Sequence, residues 1–152
     1  MRVLAAILAP AALIAASAAN AAETATVDDV ANSAAMCMLS AGKDGADKSR
    51  FENDAWTPTE KGFQHVSAPI SIEFPTDKDG VDRICVVRAA LAERSDQETL
   101  KKQISDMLKS KSLKQSQSEI WMVSTASGAR GIQFYPDTSS EQPQVRLIGA
   151  AF

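Results

Sequence analysis

A repeat of apolar residues at steps of three and four predicts a first amphipathic helix over residues 27–41. Side chains at this spacing share one face of a helix, because each helical turn takes 3.6 residues. Thr26 or Asp28 is suited to cap its N-terminus, and Gly42 ends the periodic run. The predicted inner face consists of Val30, Ala34, Cys37, Met38 and Ala41.

A second helix is predicted to begin at Ser95. Ser95 and Glu98 have the spacing of a capping box, in which each side chain bonds a backbone N–H that lacks a helical partner. Lys109 and Lys111 follow at the end of the helix, where positive charge is favourable. The apolar stripe predicted to face the core consists of Leu100, Ile104, Met107 and Leu108.

Apolar runs of shorter period predict five or six strands. Residues 70–74 alternate between apolar and polar, which indicates a strand with one buried face. Residues 81–91 are apolar on both parities and predict a central strand, covered on both faces or covered on one face by a partner. Between these two strands, Asp79-Gly80 is typical of a tight hairpin turn. The other predicted strands are 63–66, 120–125, 131–135 and 145–152.

Two polar segments are predicted to lie outside the regular elements. Residues 42–62 are rich in Gly, Asp and Lys and predict a surface loop, held to the body by Phe51 and Trp56. Residues 110–118 are mostly Ser, Lys and Gln and predict a solvated linker. The element order α-β(β)β-α-βββ predicts a single α+β domain, an antiparallel sheet of five to six strands with two helices on one face. Because each helix is followed by a tryptophan and then strands, two αβββ halves sharing one sheet are a further hypothesis.

The first 21 residues predict a cleaved secretory signal peptide. Arg2 is their only charged residue, an apolar run follows it, and Ala21 completes a small-x-small cleavage pattern. Cleavage is expected between Ala21 and Ala22, which leaves residues 22–152 as the single domain. A buried N-terminal helix and an uncleaved anchor are the alternatives, but Pro10 and the short apolar run disfavour both. We therefore expect a periplasmic or secreted protein with no membrane span after cleavage.

The two cysteines of this chain, Cys37 and Cys85, predict a disulfide, because an exported protein meets an oxidising compartment. Two buried free thiols and a redox-active pair are the alternatives. Catalytic dithiols usually have the spacing C-x-x-C, which this pair lacks. Closing a loop of about 49 residues predicts roughly 4 kcal/mol of stabilisation.

Composition narrows the chemistry further. The net charge of −3 gives no electrostatic basis for nucleic-acid binding. One histidine and two cysteines are too few for most metal and cofactor sites built from these residues, so we predict neither a metal nor a cofactor. Asp77, Asp79 and Asp82 surround a turn and offer oxygen ligands of the kind calcium prefers, but aspartate is also an ordinary turn residue.

The absence of a catalytic motif leads to the functional hypothesis. No G-x-S-x-G motif accompanies His65, and we assign no catalytic residue. We expect a non-catalytic binding or interaction module: an envelope chaperone, an inhibitor or an accessory subunit. Ile84 and Val86 have the parity opposite to Cys85, so they are the predicted contact face for another envelope protein or a small apolar ligand. A small periplasmic hydrolase using His65 and a structural envelope protein are the alternatives, and the sequence sets no oligomeric state.

Overall fold

The computed structural model describes residues 23–137 and 142–152. The predicted signal peptide and its cleavage site between Ala21 and Ala22 lie outside the described residues. Residues 138–141, in the polar loop before the last strand, also lie outside them. Within the described ranges, no helix has the length and apolar character needed to cross a bilayer.

The described chain contains two helices, each followed by four strands. The helices are α1 (Val27–Ser40) and α2 (Ser95–Leu108). The strands after α1 are β1 (Trp56–Pro58), β2 (Gly62–His65), β3 (Ile70–Glu73) and β4 (Cys85–Ala90). The strands after α2 are β5 (Leu113–Lys114), β6 (Glu119–Thr125), β7 (Gly128–Asp137) and β8 (Gln144–Ala151). A short 3-10 helix, Lys48–Phe51, precedes β1.

The eight strands form one antiparallel sheet in the order β1-β2-β3-β4-β8-β7-β6-β5. Each half of the described chain is a helix followed by a four-stranded meander, and the halves meet where β4 pairs with β8. The predicted α+β class and antiparallel sheet are confirmed, whereas the predicted count of five to six strands is wrong. The layout of two halves also holds, with four strands in each half instead of three.

The two strands that the sequence did not predict are the edges of the sheet. β1 has three residues and ends in Pro58, which lacks the N–H that an inner strand would need. β5 has two exposed residues, Leu113 and Lys114. Strands this short are too brief to show an alternation of apolar and polar residues. For that reason β1 lies within the predicted loop 42–62, and β5 lies within the predicted linker 110–118.

Helix α1 matches its prediction closely. All five residues of the predicted inner face are buried. The Thr26 hydroxyl accepts a hydrogen bond from the backbone N–H of Asp29 at 3.1 Å and so caps the helix. The backbone turns extended at Ala41, one residue before Gly42. Local periodicity and capping therefore determine this element.

Helix α2 differs from its prediction in two respects. The predicted capping box is absent, because hydrogen bonds such as Gln97 N–H to Arg94 already set Ser95 inside the first turn. Asp96 accepts instead from the backbone N–H of Glu93 at 3.0 Å, while the Glu98 carboxylate lies 2.6 Å from the Lys101 ammonium. Met107 is 37% exposed, so the inner stripe is narrower than predicted. Its fully buried members are Leu100 and Ile104.

The core lies between the two helices and one face of the sheet, which we call the inner face. Trp121 is fully buried there, and its indole N–H donates to the Ser105 hydroxyl of α2 at 2.7 Å. At the β1 end, Phe51 contacts Trp56 with ring centroids 5.1 Å apart, so these aromatics anchor the preceding loop as predicted. Other buried residues of the inner face are Phe63, Ile72, Val87, Ile132, Phe134 and Leu147.

Two central strands of the sheet, β4 and β7, begin at different residues from those predicted. β4 pairs with β3 and β8 and is therefore central, as expected, but it begins only at Cys85. β7 begins at Gly128, so the β6–β7 connection shortens to Ala126-Ser127. Gly128 has a φ of 112°, which an L side chain rarely adopts, and this allows the tight connection.

Candidate binding face

The predicted disulfide joins Cys37 of α1 to Cys85 of β4, and both cysteines are fully buried. Gly149 lies opposite Cys85 on the neighbouring strand β8. A Cβ atom at Gly149 would lie only 2.6 Å from the backbone nitrogen of Met38. The glycine therefore lets α1 approach the sheet closely enough for the bond, which fixes the helix layer on the inner face.

No described helix packs on the opposite side of the sheet, which we call the open face. Side chains alternate along a strand, so the positions between the core residues point to this face. Part of it is apolar: Met122 is 37% exposed and Phe152 is 48% exposed. Both side chains lie over Gly131, where a Cβ would be 3.0 Å from the Met122 sulfur and 3.1 Å from the Phe152 ring.

Val86 lies on the open face as the alternation predicts, between Glu73 of β3 and Ile148 of β8. It is only 4% exposed, so it contributes little surface of its own. Ile84 lies before β4 and is half-buried. We call Val86, Met122, Ile148 and Phe152 the apolar zone. Sequence reasoning missed Met122 and Phe152, although the parity of Met122 next to the buried Trp121 was a usable signal.

The centre of the open face carries two arginines directly opposite each other. Arg88 of β4 pairs with Arg146 of β8, and Arg146 in turn lies opposite Tyr135 of β7. The carbon of the Arg146 guanidinium lies over the Tyr135 ring, 4.5 Å from the ring centre. Glu73 approaches Arg88 with an O–N distance of 3.4 Å. A shallow depression of about 510 Å³ is lined by Arg88, Gln117, Tyr135, Pro136, Asp137 and Arg146.

A smaller cavity of about 310 Å³ lies beside α2, where Lys101 reaches the β5–β6 connection. The Lys101 ammonium lies 2.9 Å from Glu119, and the Ser112 hydroxyl donates to the other oxygen of that carboxylate. Burial raises the pKa of Glu119, but the hydrogen bonds from Lys101 and Ser112, together with the positive charges of Lys101 and Lys114, outweigh it, and the net pKa is lowered. The opposite charges of Lys101 and Glu119 therefore compensate each other, and the ion pair links α2 to β6.

His65 lies at the end of β2 and packs edge-on against Trp56, with ring centroids 4.8 Å apart. Its Nδ1 atom accepts the backbone N–H of Ser67 at 3.2 Å. The Ser67 hydroxyl is 3.4 Å from the same nitrogen, on an exposed turn. Because the lone pair of Nδ1 already accepts a backbone hydrogen bond, it is not available to take a proton from the Ser67 hydroxyl.

The aspartates of the β3–β4 turn are engaged in holding the turn. Asp77 accepts the backbone N–H groups of Asp79 at 2.8 Å and Val81 at 3.1 Å, and it pairs with Arg83. Asp82 pairs with Lys48 at 2.6 Å. The part of the chain that the structure describes holds no group of three or more side chains placed to bind a metal ion.

The chain is thus a two-layer α+β protein with a disulfide between its layers and a sheet face left open by the described helices. No model of a known family, no curated protein and no solved structure matches it. Function is therefore inferred from the residues of the open face and their chemistry.

Proposed function

We propose that the protein is an exported, non-catalytic binding module that uses the open face of its sheet to hold a protein partner in the cell envelope. The observation that carries this proposal is the exposure of Met122 and Phe152 on the face that no described helix covers. Burying apolar surface drives association between proteins. A chaperone, an inhibitor or an accessory subunit would use such a face.

The location in the periplasm, or outside the cell, belongs to the same proposal. The disulfide between Cys37 and Cys85 suits an oxidising compartment, where such bonds persist. The predicted signal peptide would deliver the chain there. A small apolar ligand is a less favourable occupant, because the exposed apolar side chains lie on a sheet surface and ligand sites are usually concave.

The position of His65 supports binding over a hydrolase. A serine nucleophile needs an imidazole nitrogen that is free to accept its proton. In the neutral ring, the hydrogen bond from Ser67 N–H to Nδ1 places the ring proton on Nε2. Neither nitrogen is then poised as a base.

Two matched methionine variants test the proposal. Met122 on the open face and Met107 on the helix side are each 37% exposed, so Met122→Asp and Met107→Asp introduce the same charge at equal exposure. A photoreactive amino acid at position 122 should form one discrete adduct in the exporting cell, and the same group at position 107 should not. The protein identified in the adduct is then purified and its affinity measured.

We expect Met122→Asp to weaken binding of that purified partner by at least about tenfold, equivalent to 1.4 kcal/mol. Met107→Asp should leave the affinity unchanged. Equal adducts at both positions, or equal affinity for both variants, would contradict the proposal. If the protein instead had a purely structural role in the envelope, with no specific contact face, positions 122 and 107 would give equal adducts and equal affinities.

A further inference from the structure

We propose that Arg88 and Arg146 together form a receptor for a single carboxylate on the partner, supplied by an acidic residue of a peptide segment. This inference rests on the proposed function and specifies the chemistry of the same face. The receptor lies at the centre of the sheet, where β4 of the first half meets β8 of the second.

The placement of the two arginines is unfavourable for the isolated protein. Like charges directly opposite each other on neighbouring strands destabilise a sheet. Arg88 and Arg146 occupy such a pair, and the Arg88 side chain is 51% exposed. Glu73 reaches only Arg88, at 3.4 Å, which is longer than a strong charge-assisted hydrogen bond. Both arginines line the same depression, so a negative group bound there would relieve the repulsion.

The state of Arg146 also points to an anion. Its Nε atom has no hydrogen-bond partner among the described residues, and because this atom is buried, an anion would bind the two terminal nitrogens of the guanidinium. Its guanidinium carbon lies over the Tyr135 ring, 4.5 Å from the ring centre, and this cation–π contact restricts the freedom of the side chain. A guanidinium already oriented loses less conformational entropy when it forms two parallel hydrogen bonds to a carboxylate.

The surroundings favour a singly charged carboxylate over a doubly charged phosphate. Asp137 lines the same depression, and Glu73 lies beside Arg88, so two negative groups border the arginines. Repulsion from them rises with the charge of the ligand. Gln117 adds a neutral amide that can donate to one carboxylate oxygen.

The receptor is continuous with the apolar zone. Val86 and Arg88 are two residues apart on β4 and therefore share the open face. Arg146 and Ile148 share it in the same way on β8. One extended segment can therefore place an acidic side chain over the arginines and apolar side chains over Met122 and Phe152. Apolar burial would supply affinity, and the carboxylate would set the register.

Titration calorimetry on the full mature protein tests the receptor. The probes are an end-blocked peptide with one glutamate among leucines and serines, the same peptide with glutamine, and inorganic phosphate. We expect the glutamate peptide to bind at least about tenfold more tightly than the glutamine peptide, because a hydrogen bond to a charged group contributes about 1.5–3 kcal/mol. Phosphate should not compete at equal concentration.

Variants locate the binding. Arg88→Gln and Arg146→Gln should each remove the preference for glutamate, and Arg146→Lys should weaken it because lysine lacks the planar fork. Arg94→Gln, a change of equal charge at an exposed residue before α2, should leave it intact. Thermal unfolding of each variant establishes that it is folded.

Three results would overturn the receptor: no preference for glutamate in the parent protein, an unchanged preference in either arginine-to-glutamine variant, or full competition by phosphate. None of these bears on the Met122 and Met107 comparison, which decides the proposed function separately. A partner lost in Met122→Asp but held equally by Arg88→Gln and Arg146→Gln would leave the binding face standing and remove the receptor.

Discussion

Single residues determine how closely the layers of this protein approach. Gly149 has no side chain at the point where α1 crosses the sheet, and the disulfide forms beside it. Asp77 organises the β3–β4 turn through two backbone N–H groups. Local sequence patterns identify turn-forming aspartates of this kind, but the role of Gly149 depends on a helix that lies far away in sequence.

We expect Gly149→Ala to lower the free energy of unfolding by about 1–3 kcal/mol, the usual cost of overpacking a core. The added methyl would meet backbone atoms of Met38 and Cys37, which cannot move independently of α1. Urea denaturation measures the change. Gly131→Ala is the comparison, and its effect should be smaller, because its Cβ would meet a single backbone atom, the Trp121 oxygen at 2.8 Å, and otherwise the movable side chains of Met122 and Phe152. Equal effects would contradict this account of the helix contact.

We expect Asp77→Asn to remove a stabilisation that depends on pH. The backbone N–H of Val81 lowers the pKa of Asp77 most, burial raises it, and the N–H of Asp79 and the Arg83 guanidinium lower it further. Because the folded pKa lies below the ordinary value of 3.8, the stabilisation is complete above that value and is lost as the pH falls through the folded pKa.

The difference in unfolding free energy between Asp77→Asn and the parent protein should thus be constant at neutral pH and shrink below about pH 4. Chemical denaturation across this range measures it. Asp79→Asn is the control, since the Asp79 side chain is 59% exposed and lies 3.4 Å from Arg83. A pH-independent difference for Asp77→Asn would show that the carboxylate charge is not what holds the turn.

At the scale of elements, hydrophobic periodicity predicted those helices and strands that are long enough to show a repeat. α1 has a single-sided apolar repeat and a threonine cap, and its bounds agree with the prediction within a residue. In α2 the backbone hydrogen bonds begin at Glu93 and Arg94, so the apparent capping box lies too late. The two-residue strand β5 has no pattern to read, because its strand geometry comes from pairing with β6.

The disulfide between α1 and β4 should contribute much of the free energy of unfolding. Reducing the Cys37–Cys85 bond, or replacing both cysteines with alanine, is expected to cost about 2–4 kcal/mol, because the loop then regains its freedom in the unfolded chain. Urea denaturation with and without reductant measures the loss. The double variant serves as the control for reductant, since it should be insensitive to it. An unchanged midpoint on reduction would contradict the prediction.

At the scale of the whole molecule, two meanders share one sheet and one helix layer. The pairing of β4 with β8 runs from Cys85 opposite Gly149 to Ala90 opposite Gln144, and it joins the first half to the second. This seam places the disulfide on the inner face and the arginine pair on the open face. The arginine pair needs one strand from each meander, whereas both cysteines belong to the first half, one in α1 and one in β4.

Hydrogen exchange should follow this arrangement. Amides of β4 and β8 are paired on both sides, so we expect the slowest exchange there, set by global unfolding. The edge strands β1 and β5 should exchange fastest among the strands, because each has only one neighbour. Exchange measured by mass spectrometry or NMR tests the order, and protection of β5 equal to that of β8 would contradict it.

The sequence by itself determined the helices, most strands, the α+β class and the candidate disulfide, because these depend on periodicity, capping and cysteine count. Tertiary structure decided which residues form a surface. Val86 had the right parity for the open face, yet it is buried, while Met122 and Phe152 remain exposed. Arg88 and Arg146 are distant in sequence and become opposite only through the β4–β8 register. Non-local strand pairing has no local sequence signature, and for that reason only the fold brings the candidate site together.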